Sequence, residues 1–182
     1  AIHDAGDGDI VIIPTGTYAS PYPGYPPPII TIVDKSITLT GENPDDPGIV
    51  AATILDGYYF NISNAGPGTV IDGLTPRNCQ TYPYWSSPTI RNCVFTGCTV
   101  VGSDGGNFTD YPDDGTDGVS VEGGAIEMYN SSPLLQNCVF NGCSVTGGDG
   151  GNGNGGHDGH SPGYDGGWGG WAYGGAVFCG DR

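Results

Sequence analysis

The sequence predicts an all-β protein wound as a solenoid, a coil of short strands, and three observations predict it. Apolar residues come in short runs ended by Gly, Pro, Asp-Gly or Asn, and almost no stretch has helical spacing. Glycine and proline are abundant, with 35 Gly and 15 Pro in 182 residues. One phrase also returns at a fixed step. "SSPTIRNCVFTGCTV" spans Ser86 to Val100, "SSPLLQNCVFNGCSV" spans Ser131 to Val145, and ten of the fifteen positions are identical. Repetition at a fixed period marks stacked units that bury a shared core.

Taken in order, "GDIVIIPTGTY" is a buried strand closed by Pro14 and Gly16, followed by the Pro-rich "ASPYPGYPPP". "IITIVDKSITLTGEN" supplies the next strands. "ATILDG", "YYFNIS" and "TVIDGL" each end at Asp-Gly or Asn, as strands meeting tight bends do. Gly124 to Val145 then contains "GAIEMY", "PLLQNC" and "VFNGCSV", three strand-sized pieces in 22 residues, enough for one circuit of a solenoid. In the repeated phrase Ile90 and Leu135 point inward, Asn92 and Asn137 take the bends, and Phe95 and Phe140 resume the core. Stacked circuits put like on like, so Cys93, Cys98, Cys138 and Cys143 become stacked or disulfide-bonded cysteines.

Between the circuits lie two excursions, 101–123 and 146–174, polar and glycine-rich. The second carries Tyr164, Trp168, Trp171 and Tyr173, apolar area that linkers lack, and is expected to fold onto the solenoid or against a partner. Residues 1–182 read as one domain with these two loop excursions.

The chain at this point resembles the right-handed parallel β-helix proteins of the pectin-lyase-like superfamily. The matching pieces are "GDIVIIPTGTY", "SITLTGEN", "TVIDGLTPRNC", "SSPTIRNCVFTGC" and "GGAIEMYNSSPLLQNCVFNGC". The last two resemble polymorphic-outer-membrane-protein-type repeats of bacterial surface and secreted proteins. The resemblance implies an extracellular or cell-surface β-helix. It leaves activity open, because such folds serve lyases, hydrolases, adhesins and structural proteins.

Lyases of that superfamily use a basic residue, often with calcium. The cations here are Lys35, Arg77, Arg91 and Arg182, and Arg91 becomes Gln136 in the next copy. Hydrolases use clustered carboxylates. Asp110, Asp113, Asp114 and Asp117 form such a cluster, but it sits in an excursion without accompanying His or basic motifs. The reading is therefore non-enzymatic, with calcium a candidate ligand of those four carboxylates and no cofactor required. Asn61, Asn107 and Asn130 are N-x-S/T glycosylation candidates, and Trp85, Trp168 and Trp171 are candidates for stacking on sugar rings.

A net charge of -16 repels phosphate backbones and anionic surfaces, so nucleic acid is excluded as an expected partner. No apolar run is long enough for membrane insertion. The first residues lack the pattern of a signal peptide, as in a mature or trimmed chain. Neither end carries an obvious cap. The leading expectation is thus a structural subunit of a surface or filament, self-associating head to tail. The alternatives are a carbohydrate-binding module or adhesin and, last, a polysaccharide lyase or hydrolase.

Overall fold

The computed structural model describes residues 2–19, 29–107, 114–153 and 165–181. Among the described residues the chain is all-β, the strands pair in parallel, and the one helix is six residues long. Three five-stranded parallel sheets are visited in turn. Sheet A contains β1 (Ile10–Ile13), β4 (Thr38–Gly41), β7 (Val70–Asp72), β10 (Thr89–Arg91) and β15 (Leu134–Gln136). Sheet B contains β2 (Gly16–Ala19), β5 (Thr53–Asp56), β8 (Thr75–Arg77), β11 (Val94–Thr96) and β16 (Val139–Asn141). Sheet C contains β3 (Ile29–Val33), β6 (Tyr59–Ser63), β9 (Gln80–Tyr84), β14 (Ile126–Tyr129) and β19 (Val177–Gly180). Each passage A to B to C is one circuit, and the circuits stack in chain order. Two shorter pairs complete the strands, β12 (Thr99–Val101) with β17 (Ser144–Thr146) and β13 (Val121–Glu122) with β18 (Ala172–Tyr173).

Alternation within each strand builds the core. Inward residues form columns across the circuits, as Leu39, Ile71, Ile90 and Leu135 do in sheet A. In sheet B, Phe95 lies on Phe140 with rings 5.0 Å apart and 8° from parallel. The repeated phrase is the register itself, since Thr89, Ile90 and Arg91 pair with Leu134, Leu135 and Gln136.

The corners explain the punctuation. Eleven of the described corners turn on a residue with positive φ, where Gly and Asn cost least, whereas the passage from β4 to β5 is made by the short helix Pro47–Ala52. Gly73, Asn92 and Asn137 serve the corner from A to B, and Gly57, Asn78, Gly97 and Gly142 that from B to C. Asp34, Asn64, Trp85 and Asn130 serve the corner from C back to A. Asn137 Nδ2 donates to Asn92 Oδ1 at 3.3 Å, linking one corner to the next.

The residue after each such turn points inward. In the later circuits it is Cys or Ser, as in Cys79, Cys93, Cys98, Cys138, Cys143, Ser86 and Ser131. Cys93 and Cys138 follow equivalent Asn residues and lie between register-paired strands, so they occupy the same place in successive circuits. All six cysteines are free thiols. Five reach back to a carbonyl of the preceding circuit: Cys79 to Leu55 at 3.0 Å, Cys93 to Ile71 at 3.9 Å, Cys98 to Pro76 at 3.7 Å, Cys138 to Ile90 at 3.4 Å and Cys143 to Phe95 at 3.7 Å. A thiol is small enough for the corner and still donates weakly to a carbonyl there.

Charged groups follow the same downward logic. Asp56 accepts from Arg77 Nη2 and Asn78 Nδ2, both at 2.8 Å, and Asp72 accepts from Arg91 Nε at 2.7 Å and Asn92 Nδ2 at 2.9 Å. Arg91, an exposed outward residue, is thus also tied to the circuit beneath. The Arg77 guanidinium lowers the pKa of Asp56 below its ordinary value.

Candidate functional site

The two glycine-rich excursions leave the coil at the corner between sheets B and C and return at β13 and β18. They are expected as loops, but their described parts form an ordered two-layer element. Residues 102–107 and 114–120 make the first layer, and 147–153 and 165–171 the second. None of these four segments is a strand or a helix. Their backbone hydrogen bonds run between segments and recur every third residue, the habit of polyproline-II-like chains.

Within the first layer Val119 N–H donates to Ser103 O at 2.9 Å and Thr116 N–H to Gly106 O at 3.2 Å. Within the second, Gly167 donates to Gly151 O and Gly170 to Gly148 O, both at 2.7 Å. Between layers Gly102, Gly105, Gly115 and Gly118 donate to Thr146, Asp149, Asp165 and Trp168 at 2.7–3.0 Å. Gly148 and Gly151 donate back to Val119 and Thr116 at 3.0 and 2.9 Å. Glycine is required at these contacts, because a Cβ on Gly102, Gly118, Gly148 or Gly151 would lie 2.0 to 2.1 Å from a neighbouring carbonyl oxygen.

A ladder of side chains joins the layers as well. Asp104 Oδ1 accepts from Asp149 N–H at 2.9 Å, and Asn107 Oδ1 from Asn152 N–H at 2.6 Å. Asp114 Oδ1 accepts from Asp165 N–H at 3.1 Å, Asp117 Oδ1 from Trp168 N–H at 2.7 Å, and Ser120 Oγ from Trp171 N–H at 2.9 Å. Two of the four calcium candidates, Asp114 and Asp117, are thus acceptors for backbone groups of the next layer. Asp110 and Asp113 lie outside the described residues. Among the described residues, no three His, Cys, Asp or Glu side chains are grouped as a cation needs.

The equivalents of the ladder residues in the second layer are Asp149, Asn152, Asp165, Trp168 and Trp171. Acceptors persist at the first three, but tryptophan replaces Asp117 and Ser120. Trp168 and Trp171 are 77% and 62% exposed. The Trp171 ring lies 6.1 Å from that of Tyr173 and within 5° of parallel. Rings continue from there onto the outward face of sheet C, Tyr173 to Phe178 at 6.1 Å, Phe178 to Tyr129 at 5.8 Å and Tyr129 to Tyr82 at 5.9 Å. Tyr82 meets Tyr84 at 6.2 Å, which meets Trp85 edge-on at the same distance. The structure therefore places two of the three tryptophan candidates, Trp85 and Trp171, along one aromatic edge, joined through Tyr173 and through Tyr82, Tyr84, Tyr129 and Phe178, which sequence reasoning did not single out, while Trp168 lies three residues before Trp171 in the same layer. Their signal was the alternation in "QTYPYW" and "IEMY".

Trp85 is unusual in its backbone. Its φ of 49° falls at a corner where the other circuits carry Asp34, Asn64 and Asn130. A bulky residue there costs about 1–2 kcal/mol relative to Asn or Gly.

The glycosylation candidates are dispersed. Asn61 lies within β6, its side-chain oxygen accepting from Ser63 Oγ. Asn107 belongs to the layer ladder, and Asn130 turns the corner after β14, its N–H on Gly180 O at 3.2 Å.

Comparison with known proteins gives no match to a family model, to a curated protein or to a solved structure. Among the described residues no helix is long and apolar enough to cross a membrane.

Proposed function

We propose that this chain is a right-handed parallel β-helix of the pectin-lyase-like kind, an extracellular, non-enzymatic structural subunit that associates head to tail. The right hand follows from the handedness of parallel crossovers and from the family resemblance. The observation that carries the reading is templating. Successive circuits bond to one another across their register, as when Ser86 N–H donates to Ser131 Oγ 45 residues on. Among the described residues β15 and β16 are the outermost strands of their sheets, and Leu134 and Val139 there are exposed. At the opposite edge, Asp9 O faces Thr38 N–H of the second circuit. Ile10 and Ile12 therefore turn their N–H groups away from it, and the reading assigns them to a neighbouring copy. A head-to-tail contact of this type builds filaments. Sedimentation and electron microscopy of the chain test the reading: assemblies that grow with concentration support it, and a monomer at all concentrations contradicts it.

A second reading, carbohydrate binding, is favoured by the aromatic edge and by Trp85 in particular. Strain held at an exposed aromatic residue marks a site where the ring matters more than local stability. With a charge of -16 the fitting ligands are neutral glycans, not polyuronates. Trp85→Asn is expected to stabilise the fold by about 1 kcal/mol while weakening retention on neutral glycans. Denaturant titration and a glycan array read the two effects. Lower stability with unchanged glycan retention contradicts this assignment.

A further inference from the structure

We propose that the recess at the corner between sheets A and B binds one pyranose ring of a neutral saccharide. In a coil of three sheets this corner lies opposite sheet C, so the site is separate from the aromatic edge and does not rest on it. Three observations lead to it.

The first is a wall held off the coil. Later circuits pass from A to B on one residue, Gly73, Asn92 or Asn137, whereas the second circuit uses residues 42–52, which include the short helix. This insert is fixed at both ends: Glu42 Oε2 accepts from Thr15 N–H at 2.9 Å and Val50 O from Thr75 Oγ1 at 2.7 Å. It leans over the third circuit, where a Cβ on Gly73 would lie 2.4 Å from Pro44 Cα. Between Pro44 and Asp45 of the insert and Asn92 and Asn137 of the coil lies a recess of about 550 Å³. Its lining comes from four successive circuits, so it runs along the flank of the coil. The volume lies within the range of small-ligand sites, about 300–1,000 Å³.

The second is the hydrogen-bond inventory. Both oxygens of Asp72 are taken, by Arg91 Nε and Asn92 Nδ2, and Asn92 Oδ1 accepts from Asn137 Nδ2. That leaves the two Nη groups of Arg91, the Gln136 amide, Asn137 Oδ1 and the Asp45 carboxylate lining the recess with no hydrogen bond among the described residues. Donors and acceptors are thus interleaved. A hydroxyl both donates and accepts, so a polyol serves all of them. An anion would use Arg91 but face Asp45 and Asp72, and a cation would face Arg91.

The third is the change of polarity across the corner. On the sheet B side the recess continues into one of about 390 Å³, bounded by the same Pro44, Asp45, Asn92 and Asn137, where Pro47, Val50, Val94 and Val139 take the place of the polar groups. A ligand laid across the corner meets hydrogen-bonding partners along one edge and aliphatic groups along the other. A pyranose ring has that division, with hydroxyls on its rim and C–H bonds on its faces, and such a mixture of apolar lining and a few placed polar groups is how small-molecule sites fix orientation. A compound with a free carboxylate, bound through Arg91, is the competing occupant.

The test titrates the full isotope-labelled chain with methyl α-glucopyranoside, methyl α-mannopyranoside, methyl β-galactopyranoside and sodium glucuronate, and follows backbone and side-chain N–H signals by NMR. At least one neutral pyranoside is expected to shift the Arg91 Nε–H and the Asn92 and Asn137 Nδ2 signals saturably, and glucuronate to shift them less. Asp45→Ala with Gln136→Ala is expected to weaken that binding about tenfold and to leave the thermal unfolding curve unchanged, since both side chains are exposed and neither gives up a hydrogen bond among the described residues. Trp85→Asn is expected to bind as wild type at this recess. Glucuronate bound more tightly than every neutral pyranoside assigns the recess to anions and overturns the proposal. Saturable shifts confined to Tyr82, Tyr84 and Trp85 also overturn it, while the glycan reading of the aromatic edge stands. A double variant that binds as wild type, or the absence of saturable shifts at the recess with all the pyranosides, overturns it as well.

Discussion

Gly148→Ala is expected to destabilise the glycine-rich element by about 3 kcal/mol. The new Cβ would lie 2.0 Å from Ser103 O and 2.5 Å from its carbonyl carbon, both backbone atoms that no side-chain rotation can clear. Relief requires the layers to part. That loosens the bonds from Gly148 N–H to Val119 O at 3.0 Å and from Gly170 N–H to Gly148 O at 2.7 Å. Overpacking costs about 1–3 kcal/mol, and each lost hydrogen bond about 1 kcal/mol. Gly169→Ala is the matched control, since its nearest neighbour would be 3.8 Å away in ordinary contact. Urea titration followed by tryptophan emission reads the difference, because Trp168 and Trp171 lie in the affected layer. Equal midpoints for the two variants would mean that these segments are not packed on one another.

Raising the pH above 9 is expected to unfold the protein, through its buried thiols. Burial pushes Cys93 and Cys98 up to about 12 and Cys79 up to about 11, from an ordinary value of 9.0. Between these limits the unfolded chain releases the protons and the folded chain keeps them, so each thiol favours unfolding as pH rises. The contribution is fully present below pH 9 and is lost progressively as pH climbs toward the folded values. One unit above 9, three thiols together cost about 4 kcal/mol as an upper bound. The comparison is with a Cys79→Ala, Cys93→Ala, Cys98→Ala variant, in which every other ionisation is shared with the wild type. Its stability is expected to fall less steeply between pH 9 and 11 than that of the wild type. Parallel slopes would show that the thiols are not buried in protonated form. Unreduced protein is further expected to react at all six cysteines with a thiol reagent once denatured.

The coil was legible because its signals are short-range. Strand runs ended by Asn or Gly mark the corners, and the repeated phrase gives the register through Ile90 over Leu135 and Phe95 over Phe140. The short helix Pro47–Ala52 was not anticipated, although "DDPG" holds its cap: Asp46 Oδ1 accepts from Gly48 N–H at 2.8 Å, with a proline in the first turn. The glycine-rich layers were illegible for a different reason. Periods of 2 and 3.6 announce themselves by an apolar stripe, whereas a period of three in "GGDGGNG", residues 147–153, and in "DGGWGGW" buries backbone and leaves no stripe. Asp114 and Asp117 read as cation ligands because a carboxylate cluster is visible in sequence. The N–H groups they serve, on Asp165 and Trp168, lie 51 residues away and meet them only when layers stack. The pairing of Arg91 with Asp72 was illegible for the same reason, since Asp72 belongs to the circuit beneath.

Residue-resolved amide hydrogen exchange by NMR tests most directly whether the excursions are folded layers that extend the coil. Protection is expected at Gly105, Gly118, Gly148, Gly151 and Gly167, whose N–H groups cross between segments, and at Trp168 and Trp171, which bond to Asp117 and Ser120. Gly169, with no such bond among the described residues, is expected to exchange freely. The predicted result is a protection pattern that repeats every third residue through 102–107, 114–120, 147–153 and 165–171. Uniform exchange at the rate of an unfolded chain across these segments would contradict it.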